Sequence, residues 1–206
     1  MFSCEASFLR ILIILFISTN FLAATGDKVR INDIKKLFDN FHSVQPGALY
    51  RSAQLKPSRL RKYIQKFGIK SVINLRGVNE KTKWWQAEKA ILEKLNVHYY
   101  NIPFSASHFS SKENLHKLLY LYKYAPKPIL IHCRDGADRS GEAAALWVLE
   151  QQGKRKKDAL KHLSIKYGYL RFRRPEKYFL ISIWQGEKWL NQKYDPESYA
   201  SKIRHS

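Results

Sequence analysis

Residues 128–141 read Pro-Ile-Leu-Ile-His-Cys-Arg-Asp-Gly-Ala-Asp-Arg-Ser-Gly. The apolar run Pro128 to Ile131 suits a buried strand, whereas Glu142 to Gln152 continues as an amphipathic helix stopped by Gly153. Between them Cys133 and Arg139 enclose five residues, with Gly136 permitting a tight turn. A loop that runs from a strand into a helix N-terminus points several backbone N–H groups inward. It thereby forms an anion nest, reinforced by the positive end of the helix dipole. The same field favours the thiolate of Cys133, the attacking form of a thiol. Arg139 brings a planar fork that holds two oxygens of one phosphoryl group, which a lysine cannot do. The stretch reads as a phosphate trap with a nucleophile at its base, and Arg134, Asp135, Gly136, Ala137 and Gly141 as the residues of its cradle.

Outward from this loop, strands and helices alternate. Ala48 to Arg51, Ser71 to Leu75 and Val97 to Ile102 suit short strands. Helical patterns run from Pro57 to Phe67, with Gly68 just past the end, and from Trp84 to Leu95. A third helix opens on Ser110-Ser-Lys-Glu113, in the form of a capping box, and continues through Leu115, Leu118, Leu119 and Tyr122. Val29 to Phe41 reads as a partly helical lead-in before the Gln45-Pro46-Gly47 turn. From Ser140 onward the pattern is helical in three segments, separated near Gly153 and near Gly168 to Pro175. Such alternation predicts an α/β fold with a central, mostly parallel sheet flanked by helices.

His132, Cys133, Arg139 and Ser140 meet the pattern His-Cys-x5-Arg-Ser/Thr, and here the chain resembles the cysteine-dependent protein tyrosine phosphatase superfamily. Gly47-Ala-Leu-Tyr-Arg-Ser-Ala-Gln-Leu55, Ser71-Val-Ile-Asn-Leu-Arg76 and Gly136-Ala-Asp-Arg-Ser-Gly141 fall in the order seen in its bacterial, atypical dual-specificity-like members. The resemblance covers Phe41 to Gly168. It implies a three-layer tyrosine-phosphatase-like sandwich and hydrolysis of phosphate monoesters through a cysteinyl-phosphate, with no metal or other cofactor. In that scheme Cys133 attacks phosphorus, and the loop amides and Arg139 hold the developing charge. Ser140 donates a hydrogen bond to the departing sulfur, and His132 orients the loop. Related plant and fungal enzymes act on inositol pyrophosphates. The substrate reading stays open between a phosphoinositide or inositol phosphate and a phosphotyrosine protein.

Typical members carry a proton-donating aspartate on a separate loop well before the cysteine. Here no carboxylate stands between Glu93 and Glu113, and the corresponding loop reads Asn101-Ile-Pro-Phe-Ser-Ala-Ser-His-Phe109. Glu113 is accounted for by its capping box. One explanation puts the acid in the phosphate loop, where Asp135 and Asp138 give Cys-x-Asp-Gly-x-Asp-Arg, similar to myotubularin-like phosphoinositide phosphatases; Asp138 is then the donor. Another is that the leaving group is good enough to depart without a strong acid. In a third, Asp138 only pairs with nearby cations to fix the loop. A rival of a different class is a catalytically weak, phosphate-recognising binding module at a membrane surface.

Lys and Arg total 37 against 17 Asp and Glu, a formal net charge of +20. An anionic partner follows: an inositol phosphate, a phosphoprotein or an anionic lipid surface, with nucleic acid not expected. Arg51, Arg76, Lys127 and Arg134 are expected at the pocket rim, at the converging strand ends. Lys154 to Lys157 read as a solvated helical face. Arg171, Arg173, Arg174 and Lys177, interleaved with Tyr167, Tyr169 and Phe172, read as a second basic zone suited to a polyanion or a headgroup layer. Arg10 precedes the apolar run Ile11 to Ile17, and Phe21-Leu-Ala-Ala24 offers small residues for cleavage. Residues 1–24 therefore read as an export signal, or an anchor if uncleaved, ahead of one domain over 25–206. Export to the periplasm or the medium is the expectation, and loss of that segment leaves Cys133 as the sole cysteine.

Overall fold

The structure, a computed structural model, describes residues 39–204. The reading of residues 1–24 as an export signal and most of the Val29 lead-in lie outside the described residues. Five strands form one sheet: β1 (His42–Gln45), β2 (Leu49–Ser52), β3 (Ser71–Asn74), β4 (His98–Asn101) and β5 (Ile129–His132). Their order is β1-β2-β5-β3-β4, with β1 antiparallel at one edge and the other four parallel. The helices are α1 (Pro57–Phe67), α2 (Lys83–Lys94), α3 (Lys112–Tyr124), α4 (Asp138–Glu150), α5 (Lys156–Leu160), α6 (Pro175–Ile183), α7 (Glu187–Gln192) and α8 (Pro196–Arg204).

Side chains alternate across a strand, and every residue of β2, β3 and β5 is buried. One face carries Leu49, Ile73, Ile129 and Ile131 against α3, α4 and α6. The other carries Tyr50, Val72 and Leu130 against Leu60 and Ile64 of α1 and Ile91 and Leu92 of α2. Two apolar faces on one sheet require a layer of helices on each, and the three-layer sandwich follows. The register places Ser52, His132, Asn74 and Asn101 level with one another. Because these four strands are parallel, the chain leaves all of them at the same edge of the sheet.

Three local expectations change. His42–Gln45, passed over in the sequence, is a strand, held in place where Trp147 Nε1 of α4 donates to Gln45 Oε1 at 2.8 Å. The cap of α3 is Ser111, whose side chain accepts from the Asn114 N–H at 3.2 Å. Ser110 is buried, its hydroxyl 3.3 Å from Lys177 Nζ, and Glu113 pairs with Lys117 at 2.6 Å instead of closing a capping box. Beyond α4 the chain forms four further short helices and two 3-10 turns, Ile165–Tyr167 and Arg171–Arg173. Lys154 to Lys157 are exposed, although α5 begins only at Lys156.

Candidate active site

β5 ends at His132, and Cys133, 2% exposed, begins the loop that turns into α4. Four successive carbonyls of this loop are drawn backward by donors behind it. Arg134 O accepts from the Gln54 N–H at 3.1 Å, and Asp135 O from Asn40 Nδ2 at 2.9 Å. Gly136 O and Ala137 O accept from Arg51 Nη2 at 2.8 and 3.1 Å. A planar trans peptide sets each N–H opposite the preceding carbonyl, so the N–H groups of Asp135, Gly136, Ala137 and Asp138 turn to the opposite, concave side. α4 begins with no side-chain cap. Its first N–H groups and its dipole are left to an anion.

Gly136 is required twice over. Its φ is +68°, and a Cβ would stand 2.5 Å from the Ala53 nitrogen. Ala137 is buried and serves as the N-cap position. Gly141 does not belong to the cradle: its N–H is spent on Ala137 O at 2.9 Å, and a Cβ there would strike Leu163. Ser140, fully buried, directs its hydroxyl at the Ser52 carbonyl, 3.4 Å away. Arg139 reaches the Leu75 carbonyl at 3.5 Å, while its Nε is buried without a hydrogen-bond partner among the described residues. An orphaned buried donor of this kind costs ~1–3 kcal/mol, a cost that a bound oxyanion removes.

The loop is also braced from below. His132 Nε2 lies 2.8 Å from Glu88 Oε1, both side chains buried, and Gln54 Nε2 donates to the other Glu88 oxygen. Burial pushes the Glu88 pKa up, but the His132 ring and the hydrogen bonds from His132, Gln54 and Tyr99 outweigh it and hold the carboxyl below its usual value. Gln54 Oε1 in turn accepts from Arg76 Nη1 at 3.0 Å, and the Arg76 guanidinium lies 3.5 Å over the Trp84 ring. Burial first and the neighbouring Arg139 next lower the Arg76 pKa.

Neither Glu88 nor Gln54 was singled out in the sequence. The signal for Glu88 was there, since Trp85, Glu88, Ile91 and Leu92 are the buried stripe of α2 and a carboxylate interrupts it.

Other cations divide between the rim and elsewhere. Arg76 and the exposed Arg134, paired with Asp135 at 3.1 Å, stand at the mouth. Arg174 Nε approaches Asp138 Oδ2 at 4.0 Å. Arg51 is not on the rim but fully buried beneath the loop. Lys127 precedes β5 and donates to the Lys123 carbonyl, at the opposite end of the strand from Cys133. Lys177 is not a surface cation either: fully buried, it pairs with the fully buried Glu142 at 2.7 Å and donates to the His108 carbonyl at 2.8 Å. Arg171 stacks on Tyr178 and Phe172 is exposed, so the second basic zone comes down to residues 171–174.

The model of the tyrosine phosphatase family matches residues 35–160, more than half of the chain. No curated protein matches by sequence. Among solved structures, a serine-for-cysteine variant of P. aeruginosa TpbA in complex with pTyr is similar, with a TM-score of 0.58 at 18% identity, over 87% of this chain and 96% of that one. The core catalytic domain of the PP-IP phosphatase SIW14 from S. cerevisiae, in complex with citrate, is similar with a TM-score of 0.57 at 21% identity, over 80% and 93%. At these identities the likeness is one of fold.

Proposed function

The chain belongs to the tyrosine phosphatase family of cysteine-based phosphatases, and from that premise we propose that it hydrolyses phosphate monoesters through a cysteinyl-phosphate on Cys133. The single observation that carries this reading is the set of four loop carbonyls tied backward, which turns the four following N–H groups to the concave side of the loop that Cys133 begins and Arg139 ends. The Cys133 thiolate attacks phosphorus, an S–P bond forms as the ester P–O bond breaks, and the leaving oxygen takes a proton from Asp138. Water then attacks the same phosphorus, returns a proton to Asp138, and expels the thiolate with inorganic phosphate. Its substrate is proposed to be an inositol phosphate or phosphoinositide, in preference to a phosphotyrosine protein. Arg76, Arg134 and Arg174 stand around the loop besides Arg139 and suit more than one anionic group. The TpbA complex with pTyr and the PP-IP phosphatase SIW14 bracket these two classes. A site of export is proposed from the sequence alone.

Cys133→Ser is expected to abolish turnover of a generic aryl phosphate while retaining phosphate-ester binding, and radiolabelled phosphate should be trapped on the wild-type protein but not on the variant. Turnover by the serine variant above a trace would remove Cys133 from the mechanism. An inert wild type that still binds phosphate esters would leave the binding module as the better reading.

A further inference from the structure

Beneath the phosphate loop lies a cation without an anion. Arg51 is fully buried on β2. Its Nη2 donates to Gly136 O at 2.8 Å and Ala137 O at 3.1 Å, and its Nη1 to His162 O at 2.8 Å. The guanidinium carbon is 4.3 Å from the centroid of the Tyr167 ring. All of these partners are neutral. Among the described residues no carboxylate pairs with it: Glu142 is taken by Lys177, Glu88 by His132, and Asp138 faces Arg174. Its Nε is buried with no hydrogen-bond partner among the described residues.

An ionised group taken out of water without a counter-charge is costly enough that buried charges are as a rule paired. The fold nevertheless keeps this one. Gly141 leaves room for it, since a Cβ there would stand 3.3 Å from Arg51 Nη2. His42 and His162 are held down to a pKa of about 4, by burial first and by Arg51 next, so neither competes as a cation. Burial also lowers the pKa of Arg51 itself, to about 10, which leaves it charged at neutral pH.

The place left for an anion is the far side of the loop that Arg51 grips. The peptide units whose carbonyls it holds belong to the cradle, and Cys133 begins that cradle. We propose that Arg51 is a positioning residue whose buried charge has the Cys133 thiolate as its counter-anion in the free protein and the bound phosphoryl group in the complex. This assignment rests on the reading of Cys133 as the nucleophile. Arg51 has two effects at once: it turns the loop amides inward through the carbonyls, and it adds a full positive charge behind them in a medium that screens poorly.

The two effects separate in variants. Arg51→Gln keeps an N–H donor for the carbonyls and loses the charge; Arg51→Lys keeps the charge with a poorer grip. The readouts are the rate of Cys133 alkylation by iodoacetamide across pH and the affinity for inorganic phosphate. In Arg51→Gln the alkylation midpoint should rise by about one pH unit, so the rate below the midpoint falls about tenfold, while the plateau at high pH is unchanged. Phosphate should bind about tenfold more weakly, and Arg51→Lys should recover most of both losses. A Gln profile superimposed on wild type, or a Lys variant no better than Gln, overturns the proposal. A wild-type midpoint no lower than that of a free thiol would instead sink the nucleophile reading itself.

If Arg51→Gln does not fold, wild type still decides. The Nε–Hε resonance of Arg51 should move as Cys133 titrates and again when phosphate is added, and the first movement should vanish in Cys133→Ser. A resonance unmoved by both overturns the proposal.

Discussion

Asp138 opens α4 with 24% of its side chain exposed, and its pKa is raised by burial first; Arg174 works against the rise and Asp135 adds to it. A carboxyl of this kind keeps its proton closer to neutrality and has one to give to a departing oxygen. Asp138→Asn should therefore slow an alkyl phosphate such as an inositol monophosphate by ~10²–10⁴-fold, and an aryl phosphate with an acidic phenol far less. Rates over a leaving-group series would show a steeper dependence in the variant; parallel lines would leave Asp138 a structural residue. At this scale the spacing of Cys133, Gly136 and Arg139 made legible that they share one loop between β5 and α4. It misplaced Arg51, Lys127 and Lys177, because a basic residue carries no sign of which end or layer of the sheet it will occupy.

Among the elements, α2 reaches the site through Trp84 beneath Arg76 and through Glu88, and the brace that Glu88 supplies is electrostatic. A carboxyl held below its ordinary pKa in the folded state contributes stability above the unfolded value and loses it as pH falls through the folded one. Glu88→Ala leaves the buried His132, and the half-buried Gln54, without their acceptor. It should cost about 3–5 kcal/mol at neutral pH, the deficit shrinking in acid, where wild type loses the same interaction. Urea unfolding of both proteins at two pH values measures this, and an equal deficit at both would contradict the assignment.

The parallel strands and the first two helices were legible because Pro57, Gly68 and the apolar runs mark their ends. The edge strand β1 was not, since His42-Ser43-Val44-Gln45 is partly exposed and its one anchor to α4 is the distant Trp147. The cap of α3 slipped by one residue for a similar reason: Ser110 is claimed by Lys177, far along the chain, and local pattern gives no hint of that.

Over the whole molecule, a net charge of +20 makes attraction to anionic surfaces long-ranged at low salt. Phe172 is exposed between Arg171 and Arg173, close in sequence to the Arg174 that approaches Asp138. Vesicles containing anionic lipid should bind the protein at low ionic strength and release it as salt is raised, since exposed charges are screened over about 8 Å at physiological salt. A co-sedimentation assay that finds no binding at low salt would assign the charge to a soluble polyanion.

One further property belongs to the molecule as a whole. The loop from Asn101 to Phe109 is fastened at both ends, by the bridge of Pro103 to Arg76 and by the buried Lys177 on the His108 carbonyl. Each fastening joins the segment to a different element. The segment is thus a wall, tied at Pro103 to the residue beyond β3 and at His108 to α6, and both ties would have to break before it could act as a flap.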